Sequence, residues 1–132
     1  MAFGTRKLRT KDVDLNLKAD LNCPFAFALG PDYKTNRSML LWISPSGAQF
    51  QMPREDPVPN LTAFEDLDFS FRLPGDQTTW TCKADIERIF AYDPHEHPVY
   101  GMTLKLKGFS DEQLMQMYQM IRAKLGMPAL PE

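Results

Sequence analysis

The sequence predicts a mainly β domain: an antiparallel barrel of six or seven short strands, followed by one C-terminal amphipathic helix. Three observations carry this. Apolar residues recur at period two in several runs, as in Leu67-Asp-Phe-Ser-Phe-Arg-Leu73, the pattern of strands with one buried face. Proline and glycine punctuate those runs at short intervals, which suits antiparallel strands joined by turns. Residues 110–126 alone combine a 3.6-residue apolar period with helix start and stop signals.

At the N-terminus, Arg6, Lys7, Arg9 and Lys11 form a basic arm over residues 1–11 with no acid among them. Such an arm either grips phosphates or is a solvated terminus. The barrel and helix are expected over residues 12–126, with a tail at 127–132. Asp12–Leu21 sets Val13, Leu15, Leu17, Ala19 and Leu21 against Asp12, Asp14, Asn16, Lys18 and Asp20, an alternation that favours extended chain over a helix. Pro24–Leu29 reads as the next strand, Gly30-Pro31-Asp32 as a turn, and residues 31–38 as a polar hairpin loop. Met39–Ser44 and Gly47–Met52 are strands flanking Ser44-Pro45-Ser46-Gly47. In that turn Pro45 presets φ and Gly47 offers the freedom for a positive φ. Pro53, Pro57 and Pro59 mark a loop. Leu67–Leu73 is a strand with Leu67, Phe69, Phe71 and Leu73 inward. Pro74-Gly75-Asp76 turns the chain into Thr78–Phe90, Tyr92–Pro98 is a second loop, and Tyr100–Leu106 alternates through Met102 and Leu104.

The helix has the sharpest signals. Ser110 is a good N-cap, and Gln113 three residues on completes a capping box, with Asp111 and Glu112 at the positive dipole end. Phe109 can staple against Leu114. Leu114, Met117, Tyr118, Ile121 and Leu125 make one stripe, Arg122 and Lys124 stand in the last turn, and Gly126 and Pro128 end a helix of about 15 residues. Met115 and Met120 lie off the stripe. They either flank the core or present soft surface to a partner.

The composition bounds the function. With 132 residues, 43% hydrophobic and 24% charged, the chain reads as one ordinary globular domain. A net charge of −2 gives no global attraction to nucleic acid or membrane. No apolar run reaches the ~18 residues of a membrane span, and the first dozen residues lack a signal-peptide core, so a cytoplasmic location is expected. Cys23 and Cys82 are too few for a disulfide framework and read as reduced thiols. His95-Glu96-His97 has chelating spacing but no third ligand nearby and prolines on both sides, so it reads as a solvated loop. There is no glycine-rich phosphate loop, Ser-His-Asp set or activated cysteine. The expectation is a non-catalytic protein without metal or cofactor.

The most informative stretch is Leu40–Phe50. Ser44 places a hydroxyl where a strand ends, able to bond a turn amide or an incoming ligand. Trp42-Ile-Ser-Pro-Ser-Gly47 resembles the Asp/Asn-x-Ser-x-x-Gly signature of PilZ domains, small bacterial β-barrels known as receptors for cyclic di-GMP. Ser44 and Gly47 fall on the motif's Ser and Gly; Trp42 stands where the family has Asp or Asn. The resemblance extends to Phe69-Ser-Phe-Arg-Leu-Pro-Gly75, Cys82–Ile89, Tyr100-Gly-Met-Thr-Leu and Phe109-Ser-Asp-Glu-Gln-Leu, and covers roughly residues 20–125.

The resemblance implies a six- to seven-stranded barrel with a C-terminal helix, and a role in cyclic di-GMP signalling. Family members that bind the dinucleotide carry a second motif, Arg-x-x-x-Arg, before the first strand, since a dianion suits bidentate guanidinium donors. Alignment on Pro24 puts Asp14 and Lys18 at those arginines; Arg6 and Arg9 are an upstream substitute. An indole is a donor only and cannot accept from a guanine edge. Trp42 is then either a packing residue or a stacking face. The candidate ligand set is Arg6, Arg9, Lys18, Trp42, Ser44, Ser46 and Gly47; the candidate partner set is Trp42, Met115 and Met120. The favoured expectation is an adaptor that contacts a motility or signalling protein, with weak or absent dinucleotide binding. Two alternatives stand beside it: a true cyclic di-GMP receptor through Arg6 and Arg9 with Ser44 and Gly47, and a single-strand nucleic-acid binder, which the negative net charge disfavours.

Overall fold

In the computed structural model, residues 13–30, 33–53, 65–92 and 99–128 are described. Strands β1 (Ala19–Leu29), β2 (Tyr33–Ser44), β3 (Gly47–Pro53), β4 (Leu67–Arg72), β5 (Trp80–Tyr92) and β6 (Val99–Lys107) precede helix α1 (Asp111–Lys124). All pairings are antiparallel, and the order β1-β2-β3-β6-β5-β4 closes because β4 returns to pair with β1. The predicted barrel with a C-terminal helix is observed, with six strands. Closure removes the sheet edges that would otherwise template pairing with another chain.

Two element boundaries differ from the sequence reading by more than a residue or two. Asp12–Leu21 is not one strand. The Asp14 carboxylate accepts from the Asn16 amide at 3.0 Å and the Asp14 carbonyl from the Leu17 amide at 3.2 Å, so the chain turns before β1 begins at Ala19. Aspartate prefers this local turn to a ladder. Residues 33–38, expected in a loop, belong to β2, where Thr35 faces Phe27 and Ser38 Oγ donates to the Phe25 carbonyl at 2.7 Å. A strand with polar residues forms here because partner backbone lies alongside, which local composition does not report.

The interior is filled with aromatic rings. Phe50 is fully buried, its ring centroid 4.5 Å from Phe27, 5.4 Å from Phe25 and 6.4 Å from Phe69. Phe71 stacks on Trp80 at 6.3 Å. A barrel this small is a packed core and not a pore. Met117 and Ile121 of α1 join the same buried cluster, so the helix covers barrel surface at β1 and β2.

The helix ends explain its length. Ser110 Oγ accepts from the Gln113 amide at 3.1 Å, as a good N-cap should. The expected return half of the capping box gives way to a different contact. The Gln113 side chain accepts from the Thr81 amide and donates to the Thr79 carbonyl, both at 3.0 Å, pinning the helix start to β5. At the other end Gly126, at φ +73°, permits Met127 to donate to the Arg122 carbonyl and Gly126 to the Ala123 carbonyl, a Schellman closure. Leu125 is the C-cap and 44% exposed, so the apolar stripe ends at Ile121. Phe109 packs against the core cluster. No helix among the described residues is long and apolar enough to cross a membrane.

Candidate functional site

Strand irregularity builds the site. Leu40 and Ile43 are both buried, at 0% and 1% exposure, yet residues three apart on a regular strand point to opposite faces. The discrepancy is resolved at Leu41. The β1–β2 register passes from Asp20↔Trp42 to Cys23↔Leu40, and the β2–β3 register from Leu40↔Phe50 to Trp42↔Gln49, so both ladders shift at the same level. Asn22 takes φ 46° opposite this point, a left-handed conformation that asparagine tolerates. The bulge sends Ile43 into the core and turns Trp42 out.

Trp42 then heads a row of paired residues across the barrel exterior, Asp20–Trp42–Gln49–Thr103–Arg88, running over β1, β2, β3, β6 and β5. The indole Nε1 donates to Gln49 Oε1 at 3.1 Å, and Gln49 Nε2 donates to Thr103 Oγ1 at 3.1 Å. Lys18 Nζ stands 5.0 Å from the centroid of the indole ring, a cation–π distance. Gln49 and Thr103 are in neither candidate set read from the sequence. Their one signal is that they are polar residues on outward positions of predicted strands, which marks many residues without distinction.

The turn residues of the motif are occupied with one another. Ser44 is 4% exposed; its hydroxyl accepts from the Ser46 amide at 3.2 Å and contacts the Gly47 carbonyl at 3.4 Å. Ser46 Oγ donates to the Leu15 carbonyl at 2.6 Å, and the Ser46 carbonyl accepts from the Leu106 amide at 2.9 Å. These bonds fasten the segment before β1 and strand β6 to the hairpin. Gly47 does not adopt the positive φ expected of it, since the positive-φ glycines described are Gly30, Gly75, Gly108 and Gly126. Its reason is proximity. A Cβ there would lie 3.3 Å from the Leu104 carbonyl oxygen and 3.4 Å from the Trp42 ring.

The structure thus brings Lys18, Trp42, Ser44, Ser46 and Gly47 together. Arg6, Arg9 and His95–His97 lie outside the described residues. Met120 is half-buried and packs against the core, and Met115 is half-buried on the helix. Among the described residues no group of three or more metal-ligating side chains converges. Burial pushes the Cys82 thiol up to about 12 and also raises Cys23, which leaves both poor nucleophiles.

No protein-family model and no curated protein matches the chain. Its fold does match solved structures. The Bacillus subtilis inhibitor of motility, MotI/DgrA, aligns with TM-score 0.62 and 18% identity over 83% of this chain. The Borreliella burgdorferi PlzA protein in complex with c-di-GMP aligns with TM-score 0.53 and 13% identity over 81%. The chain spans about half the length of these two, 50% and 46% respectively. At such identities the likeness speaks for architecture, and the closed six-stranded barrel with its C-terminal helix is a PilZ-like fold.

Proposed function

We propose that this chain is a non-catalytic, cytoplasmic module of bacterial cyclic di-GMP signalling that works through protein contact and captures the dinucleotide weakly or not at all. The pathway is suggested by the company of its fold: one similar structure is a motility inhibitor and another holds c-di-GMP. The adaptor mode rests on one observation. At the position where guanine would meet a side-chain oxygen stands an indole whose only donor is already bonded to Gln49. The Ser44 hydroxyl is likewise committed inside its turn. A ligand would have to break these bonds, and the indole itself offers it no acceptor. The half-buried Trp42 ring, flanked by Lys18, suits a contact with a partner side chain, and the partner this reading implies is a motility or signalling protein.

Titration calorimetry of the full chain with cyclic di-GMP tests it. The expected trace is flat at micromolar dinucleotide; saturable heat there overturns the reading. Lys18 favours a second reading, because it holds a cation beside the motif. In that reading Arg6 and Arg9 close on the dinucleotide against Ser44 and Gly47. The dinucleotide then raises the melting temperature, and Arg9→Ala abolishes the rise.

A further inference from the structure

A second surface lies along β1, on strands β2, β1 and β4. There Ala28 pairs with both Lys34 and Ser70, and Ala26 pairs with Arg72. The outward side chains in the middle are short and those at the margins long. The result is a hollow of about 470 Å³ whose lining includes Ala26, Ala28 and Ser70 with Lys34 and Arg72. A second hollow of about 350 Å³ shares Ala26 and Arg72 and continues to Pro24, Pro74 and Gly75. From Ala28 to Pro24 the strand advances roughly 13 Å, the span of about four extended residues. The two hollows therefore form one elongated trough.

Its charges are unevenly placed, with both cations at the first hollow and a carboxylate at the end of the second. Among the described residues the first hollow is lined by Lys34 and Arg72 and by no carboxylate. Neither cation is in an ion pair among the described residues. Asp76 lies at the far end of the second hollow. Its carboxyl is held below its ordinary range first by the Thr78 amide and only in small part by Arg72. The backbone of β1 is already paired with β2 and β4 here, so an incoming chain cannot add as a strand. It must be recognised through its side chains.

We propose that this trough docks an extended acidic peptide segment of a partner protein. Small side chains of the segment would lie on the alanine floor and its carboxylates would meet Lys34 and Arg72. The length of the trough and its apolar floor favour a peptide over a compact anion. The inference deepens the protein-contact reading by naming a surface and a partner chemistry, and it does not involve Trp42.

The test is an amide NMR titration of the full chain with a capped Glu-Ala-Asp-Ala-Glu peptide. A Lys-Ala-Lys-Ala-Lys peptide and inorganic phosphate serve as comparison arms. The acidic peptide is expected to shift Ala26, Ala28, Ser70 and Arg72 with an affinity on the order of 1 mM, since the contact is short and exposed. The Lys34→Glu and Arg72→Glu variants, both at exposed positions, should each weaken it several-fold, and the double variant should prefer the basic peptide. Absence of shifts in the trough overturns the proposal. So do equal shifts from both peptides, phosphate reproducing the shifts, or binding unchanged in the double variant. A positive dinucleotide calorimetry trace removes the adaptor reading without touching this result, and a silent peptide titration removes the trough without touching that reading.

Discussion

Trp42 and Trp80 are the two tryptophans of the chain, both sit on strands of one barrel, and they do opposite work. Trp80 is 3% exposed, stacked on Phe71 within the aromatic core. Its Nε1 has no hydrogen-bond acceptor in normal geometry, although the Asp76 carboxylate is near enough to feel it. Trp42 is half-buried outside the barrel, its Nε1 bonded to Gln49 and its ring under Lys18. The inner indole contributes through volume and area, the outer one through the polar contacts it makes and the face it leaves available. A bulge at Leu41 separates the two roles. Without it Trp42 would take the inward position now held by Ile43.

The largest expected effect breaks the inner half of this pair. Trp80→Ala should cost about 3–5 kcal/mol in denaturant unfolding, as for large aromatic truncations in a core. Trp42→Ala should cost about 1 kcal/mol, the scale of a cross-strand pair. Equal losses would show that the outer indole is core after all. Next comes Gly47→Ala, expected to cost about 1–3 kcal/mol because the new methyl meets the Trp42 ring and a backbone carbonyl. Part of that cost should vanish in a Trp42→Ala background, and a double-mutant cycle measures the coupling. Full additivity would mean the ring is not what excludes the methyl.

Smaller effects sharpen the contrast. Cys82 lies on the inner face with Trp80, and its thiol is pushed up to about 12 from an ordinary 9.0 by burial. Between those values the unfolded chain loses a proton that the native chain keeps, so stability should fall as pH rises above about 9. Native Cys82 should resist thiol reagents at pH 8 and react on unfolding. Rapid native labelling of Cys82 would contradict its placement. Lys18→Ala should change stability by about 0.5–1 kcal/mol, as for an exposed cation–π contact, while raising the accessibility of Trp42 to a fluorescence quencher.

The outline of the fold was legible because burial writes itself locally into strands and helices. The alternation of Leu67, Phe69 and Phe71 is the inward face of β4, and Ser110, Met117, Ile121 and Gly126 mark the start, buried face and end of α1. The turn at Ser44–Gly47 was legible, but not the bonds it makes. Ser44 and Gly47 were singled out correctly as a special turn. That Gly47 is required by closeness instead of φ depends on the Trp42 ring of β2 and the Leu104 carbonyl of β6. Gln113 shows the same limit: its spacing from Ser110 suggests a capping box, yet its side chain reaches β5, more than thirty residues earlier in the chain.

What the amino acids alone determined is the binary pattern: which runs bury one face, where the chain turns, and where the helix starts and stops. These follow from interactions within a few residues, where periodicity and backbone preferences suffice. Only tertiary structure decided which strands pair, where the registers slip, and therefore which of two indoles faces the core. Register is a relation between segments far apart in the chain, and a one-residue shift moves every side chain beyond it to the other face.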